Sequence, residues 1–333
     1  MSLRDGVTKA KVNQVIKGLS DKLEKKYGEK VLQKMSEKEH MSIEVRSSGR
    51  AELDEALGGG FANGKIIEIY SEEGVGKTGL VLEHVAVVQK MGGTVGYIDA
   101  EHALNTEYAK KLGVDIDELI LSQPSDGEQG FNTARVLIGS GVIDLIIIDS
   151  VEGMIPKAII EGETGESKMG AHARLMSQGL KQIVAILNNS GCTVIFINQL
   201  RETINSYGGG KKPTGGNSLK FYATQRLELK KIQLIKEGEQ VVGFKQKIKV
   251  IKNKIAPPYK EVDFDIHYEF GLDSFGSFIA DLEFEGIIIK KGSWFHYDGS
   301  NLANGVKAFR TFLDDNPETK EILENELKKK RGY

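Results

Sequence analysis

One cysteine in 333 residues, Cys192, leaves no internal disulfide to be made. It lies in an apolar run, where a buried structural thiol is the expected reading, and a reducing cytoplasm fits that usage. The amino terminus MSLRDGVTKAKVNQ lacks the apolar core of a signal peptide, and no apolar stretch is long enough to cross a bilayer. Neither export nor a membrane span is therefore expected. An excess of one charge is also missing: 45 Lys and Arg face 47 Asp and Glu, a formal net charge of -2. That excludes nucleic-acid binding by bulk positive charge and leaves only local patches. His102 has no cysteine or histidine cluster around it, so it reads as a packing or hydrogen-bonding residue, not a metal ligand. Internal repeats and low-complexity segments are absent too.

Within those limits the 40% of hydrophobic residues supports a large core. Four short apolar runs, KIIEIY (65–70), TVGYID (94–99), DLIIID (144–149) and TVIFIN (193–198), read as buried parallel strands. Helical spacing lies between them at Lys77–Lys90, Gly127–Gly139 and Gly170–Asn189. Such alternation predicts an α/β fold, a doubly wound, mostly parallel sheet flanked by helices. After Thr224 the runs RLELKKI, QKIKVIK and EVDFDIHY predict an antiparallel extension of that sheet. Residues 7–35 carry spaced apolar positions (Val12, Val15, Ile16, Leu19, Leu23, Val31, Leu32) that predict an amphipathic helix, cut off from the core by the polar SEKEH. Its apolar stripe needs a partner, and another subunit can supply one. Beyond Gly271, short helices and the aromatic run SWFHY predict a small α+β domain. The expected division is 1–38, 39–271 and 272–333.

SEEGVGKTG, residues 71–79, follows a strand and opens a helix, the setting of a phosphate-binding loop. The pattern G-x-x-x-x-G-K-[ST] asks for glycine where Ser71 stands, yet serine takes most strand-to-turn conformations unless φ is positive. Gly74 and Gly76 let the backbone amides of the Ser71, Glu72, Glu73, Gly74, Val75, Gly76 run approach phosphate. Lys77 reaches the β and γ phosphates, Thr78 holds Mg²⁺, and Gly79 continues the helix start. Asp149 ends a buried strand at the carboxyl edge of the sheet, where open α/β folds bind ligands, and suits a carboxylate behind Mg²⁺. Glu101, in YIDAEHALN, can orient a water against the γ phosphate or merely cap the next helix, and the residues alone leave both open.

The stretches GYIDAEHALN, LGVDIDEL, IIIDSVEGMIPKAIIEGETGES, ARLMSQGL, IFINQLRETI, TGGNSLKFYATQRLEL, KVIKNKIAPPYKE and DDNPETKEI together resemble the bacterial RecA recombinase family, collinearly over nearly the whole chain. The resemblance implies a RecA-like P-loop ATPase core, an amino-terminal helix/strand polymerisation segment over 1–38 and a small carboxyl-terminal DNA-binding domain over 272–333. It implies an ATP- and Mg²⁺-dependent recombinase that forms helical homo-oligomeric filaments on single-stranded DNA, engages double-stranded DNA and drives strand exchange. By the same resemblance Glu101 is the carboxylate that activates water, Gln199 the γ-phosphate sensor, Tyr108 the ring that packs on adenine, and Lys252 and Lys254 the pair that reaches ATP on the neighbouring subunit. Without it, the Lys-Asn-Lys strand reads as a solvated edge.

Two glycine-bearing stretches, 161–170 and 201–217, match the family's DNA-binding loops. Met169, Gly170, Arg174, Ser177, Lys181, Arg201, Ile204, Gly215, Gly216 and Asn217 sit where the family contacts the DNA backbone or wedges between bases, which gives sequence-tolerant binding. Lys220 and Phe221 match the subunit interface. A helicase motor on the same core would keep the nucleotide residues but leaves TGGNSLKFYA and KNK unexplained. An ATP-gated scaffold that binds without hydrolysing is the non-enzyme alternative.

Overall fold

A computed structural model describes residues 8–28, 31–32, 43–162, 170–202, 210–268, 271–272 and 274–331. The chain divides into two units, Met1–Ile43 and Glu44–Tyr333. In the first, α1 spans Lys9–Tyr27, with the Thr8 side chain accepting from the Lys11 N–H at its start. Gly28, at a left-handed φ of 75°, closes its end by donating to the Glu24 carbonyl. The helix is shorter than the predicted 7–35 because this glycine cap ends it where apolar spacing alone would carry it on. Val12, Val15 and Leu19 are exposed along it. The strand expected in this segment lies outside the described residues.

In the second unit β1 (Val45–Arg46) and β2 (Phe61–Ala62) pair across α2 (Ala51–Leu57). Alternating elements follow: β3 (Ile66–Ser71), α3 (Lys77–Lys90), β4 (Val95–Asp99), α4 (Thr106–Lys111), β5 (Ile120–Ser122), α5 (Gly127–Gly139) and β6 (Leu145–Asp149). Next come α6 (Lys157–Ile160), α7 (Ala171–Ser190), β7 (Thr193–Glu202), β8 (Lys211–Pro213), α8 (Ser218–Tyr222), β9 (Gln225–Glu237), β10 (Gln240–Asn253), β11 (Glu261–His267) and β12 (Gly271–Leu272). The sheet runs in the order β12-β11-β10-β9-β3-β7-β6-β4-β5, with β8 paired to β7. Strands β9, β3, β7, β6, β4 and β5 are parallel, while β10, β11 and β12 extend the sheet antiparallel.

The strands are apolar on both faces because helices cover both. On one face Leu80, Val81 and Val85 of α3 pack against Ile67, Ile69, Tyr97 and Ile147. On the other, Phe131 and Ile138 of α5 and Met176, Leu180 and Ile183 of α7 pack against Ile66, Ile146, Ile148 and Phe196. A third core, with Leu282, Phe295, Phe309, Leu313 and Leu323, belongs to the tail built from α9 (Ser274–Phe284), β13 (Ile289–Lys291), β14 (Trp294–Tyr297), β15 (Ser300–Asn304), α10 (Val306–Asp315) and α11 (Pro317–Arg331). Among the described residues no helix is long and apolar enough to cross a membrane. Cys192 is buried and free, and burial pushes its thiol up to about 12.

Glu68, in the middle of β3, is buried with its carboxylate on the guanidinium of Arg226 in β9 and on Asn198 Nδ2 in β7 at 2.9 Å. A buried charge is stable only when paired and hydrogen-bonded. Arg226→Met, which leaves that carboxylate without its cation, is expected to lose about 3–5 kcal/mol in urea unfolding. The double variant Glu68→Gln/Arg226→Met should lose less than the single one, a difference the same unfolding curves report. His84, on α3, is buried with Nδ1 at 3.0 Å from the Ser47 carbonyl, so that nitrogen carries the proton. Burial depresses its pKa to about 3 from an ordinary 6.5. The unfolded chain takes up the proton first, so this contribution is whole above pH 6.5 and is lost as pH falls towards 3. Unfolding midpoints at pH 7 and pH 5 should fall more steeply in the native chain than in His84→Gln.

Candidate functional site

The phosphate-loop motif opens where β3 ends. Ser71 is the last residue of β3, paired with Gln199 of β7, and it is fully buried. Its φ is not among the positive ones of the described residues, so serine stands there without strain. Its hydroxyl donates to the Glu72 carbonyl at 2.6 Å and accepts from Lys77 Nζ at 3.1 Å. Lys77 Nζ also donates to the Glu72 carbonyl at 2.9 Å, and burial lowers its pKa against the opposing pull of Asp149 and Glu101. Gly76, at φ 84°, precedes α3, and a Cβ there would lie 2.9 Å from Gln246 Nε2. Gln246, itself buried, donates to the Val75 carbonyl and holds the loop from β10, while the Val75 side chain turns into the core. Gly74 and Glu73 stay exposed, and the Glu72 carboxylate pairs at 2.6 Å with Lys211 of β8. That hydrogen bond holds the Glu72 carboxyl below its usual range.

Thr78, the second residue of α3, donates to Asp149 Oδ2 at 3.0 Å, and the Tyr97 hydroxyl donates to the same oxygen at 2.7 Å. Burial raises the Asp149 pKa, while the hydrogen bonds from Tyr97 and Thr78 oppose the rise. A hydroxyl beside one carboxylate fits Mg²⁺, which takes few protein ligands and completes its shell with phosphate and water oxygens. No denser His, Cys, Asp and Glu cluster that would hold a metal by itself exists among the described residues.

Glu101 lies just beyond the end of β4. Its Oε1 accepts from Gln199 Nε2 at 3.1 Å and from the Ser150 hydroxyl, which follows a cis Asp149–Ser150 peptide. The adjacent Asp99 carboxylate, not Glu101, caps the next turn, accepting from the N–H groups of Ala103 and Leu104 at 3.1 and 3.2 Å. Tyr108 leans over the start of α3, where a Cβ on Gly79 would lie 3.0 Å from its hydroxyl.

Lys252 and Lys254 are not brought to this edge. Lys252 pairs with Arg226, level with Glu68, and its Nζ donates to the carbonyls of Lys220 and Phe221 at 2.8 and 3.1 Å. The Lys254 N–H donates to Thr224 O, and the Thr224 N–H in turn donates to Ile66 O, at the start of β3. The phosphate loop leaves from the other end of that strand, Ser71, about 17 Å away at roughly 3.3 Å per residue. Phe221 is 70% exposed, too much for a core residue of its size.

Of the DNA-contact candidates, Met169 and Ile204 lie outside the described residues. Gly170, Arg174, Ser177 and Lys181 fall at spacings of four, three and four, one stripe along α7, with Arg174 and Lys181 exposed. Gly215 and Gly216 pack onto the same helix: a Cβ on Gly216 would lie 3.0 Å from the Ala173 Cβ, and both glycines hold φ 78°. Exposed Asn217 follows them at the start of α8. Arg201 is bound bidentately by Glu152, with nitrogen to oxygen distances of 2.9 Å. The sequence reading did not single out Tyr97, Ser150, Asn198 or Gln246. Each acts through a partner far along the chain, and only the strand order brings the two together.

The family model for the RecA N-terminal domain matches residues 14–273, and that for the RecA C-terminal domain matches 283–332. Proteins named Protein RecA are similar over most of their length. The one from Cytophaga hutchinsonii is 49% identical over 325 residues, 96% of this chain and 91% of the relative. That from Streptomyces venezuelae is 48% identical over 312 residues, 93% and 82% of the two chains. That from Bifidobacterium longum is 47% identical over 312 residues, 93% and 79%. With both domain models matched in order and close to half of the residues shared across more than nine-tenths of its length, the chain belongs to the RecA family of recombinases, DNA-dependent ATPases of recombination and repair.

Proposed function

We propose that this chain polymerises on single-stranded DNA in the cytoplasm as an ATP- and Mg²⁺-dependent helical filament, pairs that strand with homologous duplex and dissociates on hydrolysis. The convergence of Lys77, Thr78, Asp149, Glu101 and Gln199 on one sheet edge is the observation that supports the reading most. The roles divide as 1–38 for docking on the next subunit, 39–271 for the ATPase core with both DNA loops, and 272–333 for accessory DNA binding. The exposed Val12, Val15 and Leu19 of α1 give the docking segment an apolar surface to cover.

In this reading the loop amides and the start of α3 cradle the phosphates, and the Lys77 ammonium turns from the Glu72 carbonyl to the β and γ oxygens. Thr78 and Asp149 would hold Mg²⁺, which would supply positive charge against the charge that develops on the phosphate oxygens. Glu101 orients the attacking water. Its carboxylate oxygen accepts from Gln199 before nucleotide arrives, so a Gln199 drawn to the γ phosphate frees Glu101 for that water. The same movement pulls on β7, whose far end carries Arg201 and the second DNA loop. Arg174 and Lys181 on α7, with the Gly215–Asn217 turn packed beside them, supply backbone contacts to DNA.

Purified chain should hydrolyse ATP much faster with single-stranded DNA than without. Glu101→Gln should keep ATP binding and lose about 10²–10⁴-fold in turnover, whereas Lys77→Ala should lose both, as phosphate-release assays and nucleotide titrations would record. ATP binding without multiple turnover in the native chain would make the protein a scaffold.

Lys252 lies level with Glu68 in the middle of β3 and Lys254 beside the start of that strand, both away from their own phosphate loop, which supports a role at a neighbour's ATP. Head-to-tail contacts of this kind combine two different surfaces. Lys77→Ala and Lys252→Ala/Lys254→Ala chains, each inactive alone, should therefore recover about a quarter of native DNA-stimulated hydrolysis when mixed one to one, by random assortment. No recovery in the mixture would place these lysines outside the reaction.

A further inference from the structure

Tyr97 is 1% exposed, in the middle of the face that α3 covers, among Leu80, Val81, Leu145 and Ile147. A phenylalanine would fill the same volume, so the ring itself needs no hydroxyl. A buried phenol must nevertheless place its O–H on an acceptor, and this one lies 2.7 Å from Asp149 Oδ2. The strand register makes the contact possible: Tyr97 lies opposite Ile147 in the parallel pair of β4 with β6, so Asp149 is the next residue towards the carboxyl edge on the same face.

Asp149 faces demanding surroundings. Asp99 stands directly across from it on β4, and Glu101 follows two residues later, so the carboxylates gather at one strand end. Asp99 is held by the Ala103 and Leu104 N–H groups and by Gln123, and Glu101 by Ser150 and Gln199. Asp149 has Tyr97 and Thr78, and both donate to Oδ2. The Thr78 hydroxyl, by giving its proton to Asp149, turns the lone pairs of its oxygen away from the carboxylate. A cation could use those lone pairs only if the carboxylate stays where it is. Thr78 opens α3 directly after the phosphate loop, and its oxygen is the one offered to the cation, so it cannot by itself fix Asp149. The Tyr97 hydroxyl can, because its ring is fixed in the core.

We propose that Tyr97 is a positioning residue for the cation site: its buried hydroxyl locks the Asp149 carboxylate in the orientation that lets Thr78 offer its oxygen to Mg²⁺. The inference rests on the assignment of Mg²⁺ to Thr78 and Asp149 made above. Tyr97 itself touches neither nucleotide nor metal. Donors that orient a metal-binding carboxylate typically change metal affinity by 10–100-fold when removed, and a single neutral hydroxyl belongs near the lower end.

The test is binding, without turnover. A fluorescent, non-hydrolysable ATP analogue is titrated into native chain, Tyr97→Phe and Asp149→Asn across a series of Mg²⁺ concentrations, and in EDTA. Tyr97→Phe is expected to raise the half-saturating Mg²⁺ concentration about tenfold and to leave affinity in EDTA unchanged. A purely structural tyrosine would lower the thermal unfolding temperature without moving the Mg²⁺ midpoint. An unchanged midpoint in Tyr97→Phe overturns the inference. The Asp149→Asn arm then says how far the failure reaches: a raised midpoint there keeps Asp149 as the metal residue and removes only Tyr97, while an unchanged midpoint removes the Mg²⁺ assignment with it.

Discussion

The structure turns on a charge in a place where charge is costly. Glu68 lies inside the central strand, shielded from water by helices on both sides, and its carboxylate is tolerable only because β9 brings Arg226 and β7 brings Asn198 to it. Asn198 is in turn saturated: Nδ2 also donates to Thr214 O at 3.2 Å, and Oδ1 accepts from Thr214 Oγ1 at 2.7 Å and from the Gln199 N–H at 2.8 Å. A slip of one residue in any of these strands would strand the carboxylate without partners, besides turning every apolar side chain to the wrong face. The register is therefore fixed at the point where it matters for the site. Ser71, Gln199 and the Thr214 turn leave the sheet side by side because Glu68, Asn198 and Arg226 are locked beneath them.

From that register the chemistry follows by geometry. Parallel strands deliver their carboxyl ends to one edge, so β3 contributes the phosphate loop, β6 Asp149, β4 Glu101 and β7 Gln199. The antiparallel strands return the other way, and β10 therefore carries Lys252 away from that edge to the level of Glu68, with Lys254 beyond it beside the start of β3. On the reading proposed above, a single chain would hold both halves of a hydrolytic site, but apart from each other on its own sheet. Assembly of the proposed filament would then bring the cation of one copy to the phosphate of another, a physical reason for hydrolysis to depend on the filament.

Much of this was legible in the sequence where a pattern is local. The helices Lys77–Lys90 and Gly127–Gly139 were found to the residue, because glycine- and aspartate-bearing turns bracket periodic apolar runs. The four buried strands were visible as continuous apolar runs between those helices. The end of α1 was misplaced because apolar spacing continues past Gly28, while the cap that ends the helix depends on one backbone conformation. The three-residue β5 has two exposed side chains, and its apolar run, Leu119 to Leu121, is too short to stand out as a buried strand. At the site, residue types that carry chemistry could be picked out by motif. Those that hold them could not: Gln246 lies 171 residues from the carbonyl it supports, and Tyr97 52 from its carboxylate. No spacing rule connects such pairs before the strand order is known.

The same contrast in burial separates what the fold keeps from what it can exchange. The Glu68–Arg226 pair is enclosed, so losing either partner leaves a charge without water or counterion. The Arg201–Glu152 and Lys211–Glu72 pairs lie at the surface, where water competes for both partners and salt screens their attraction, so each adds little to stability. Arg201 stands on β7, Lys211 on β8, and the two strands pair beside the proposed second DNA loop. Cations held by weak exposed pairs can be handed to a phosphate backbone at small cost, since the acceptor they leave is at once solvated. On the DNA-binding reading proposed above, a net charge of -2 is thus no obstacle: exposed basic groups are present, kept locally neutral by partners that a polyanion can replace.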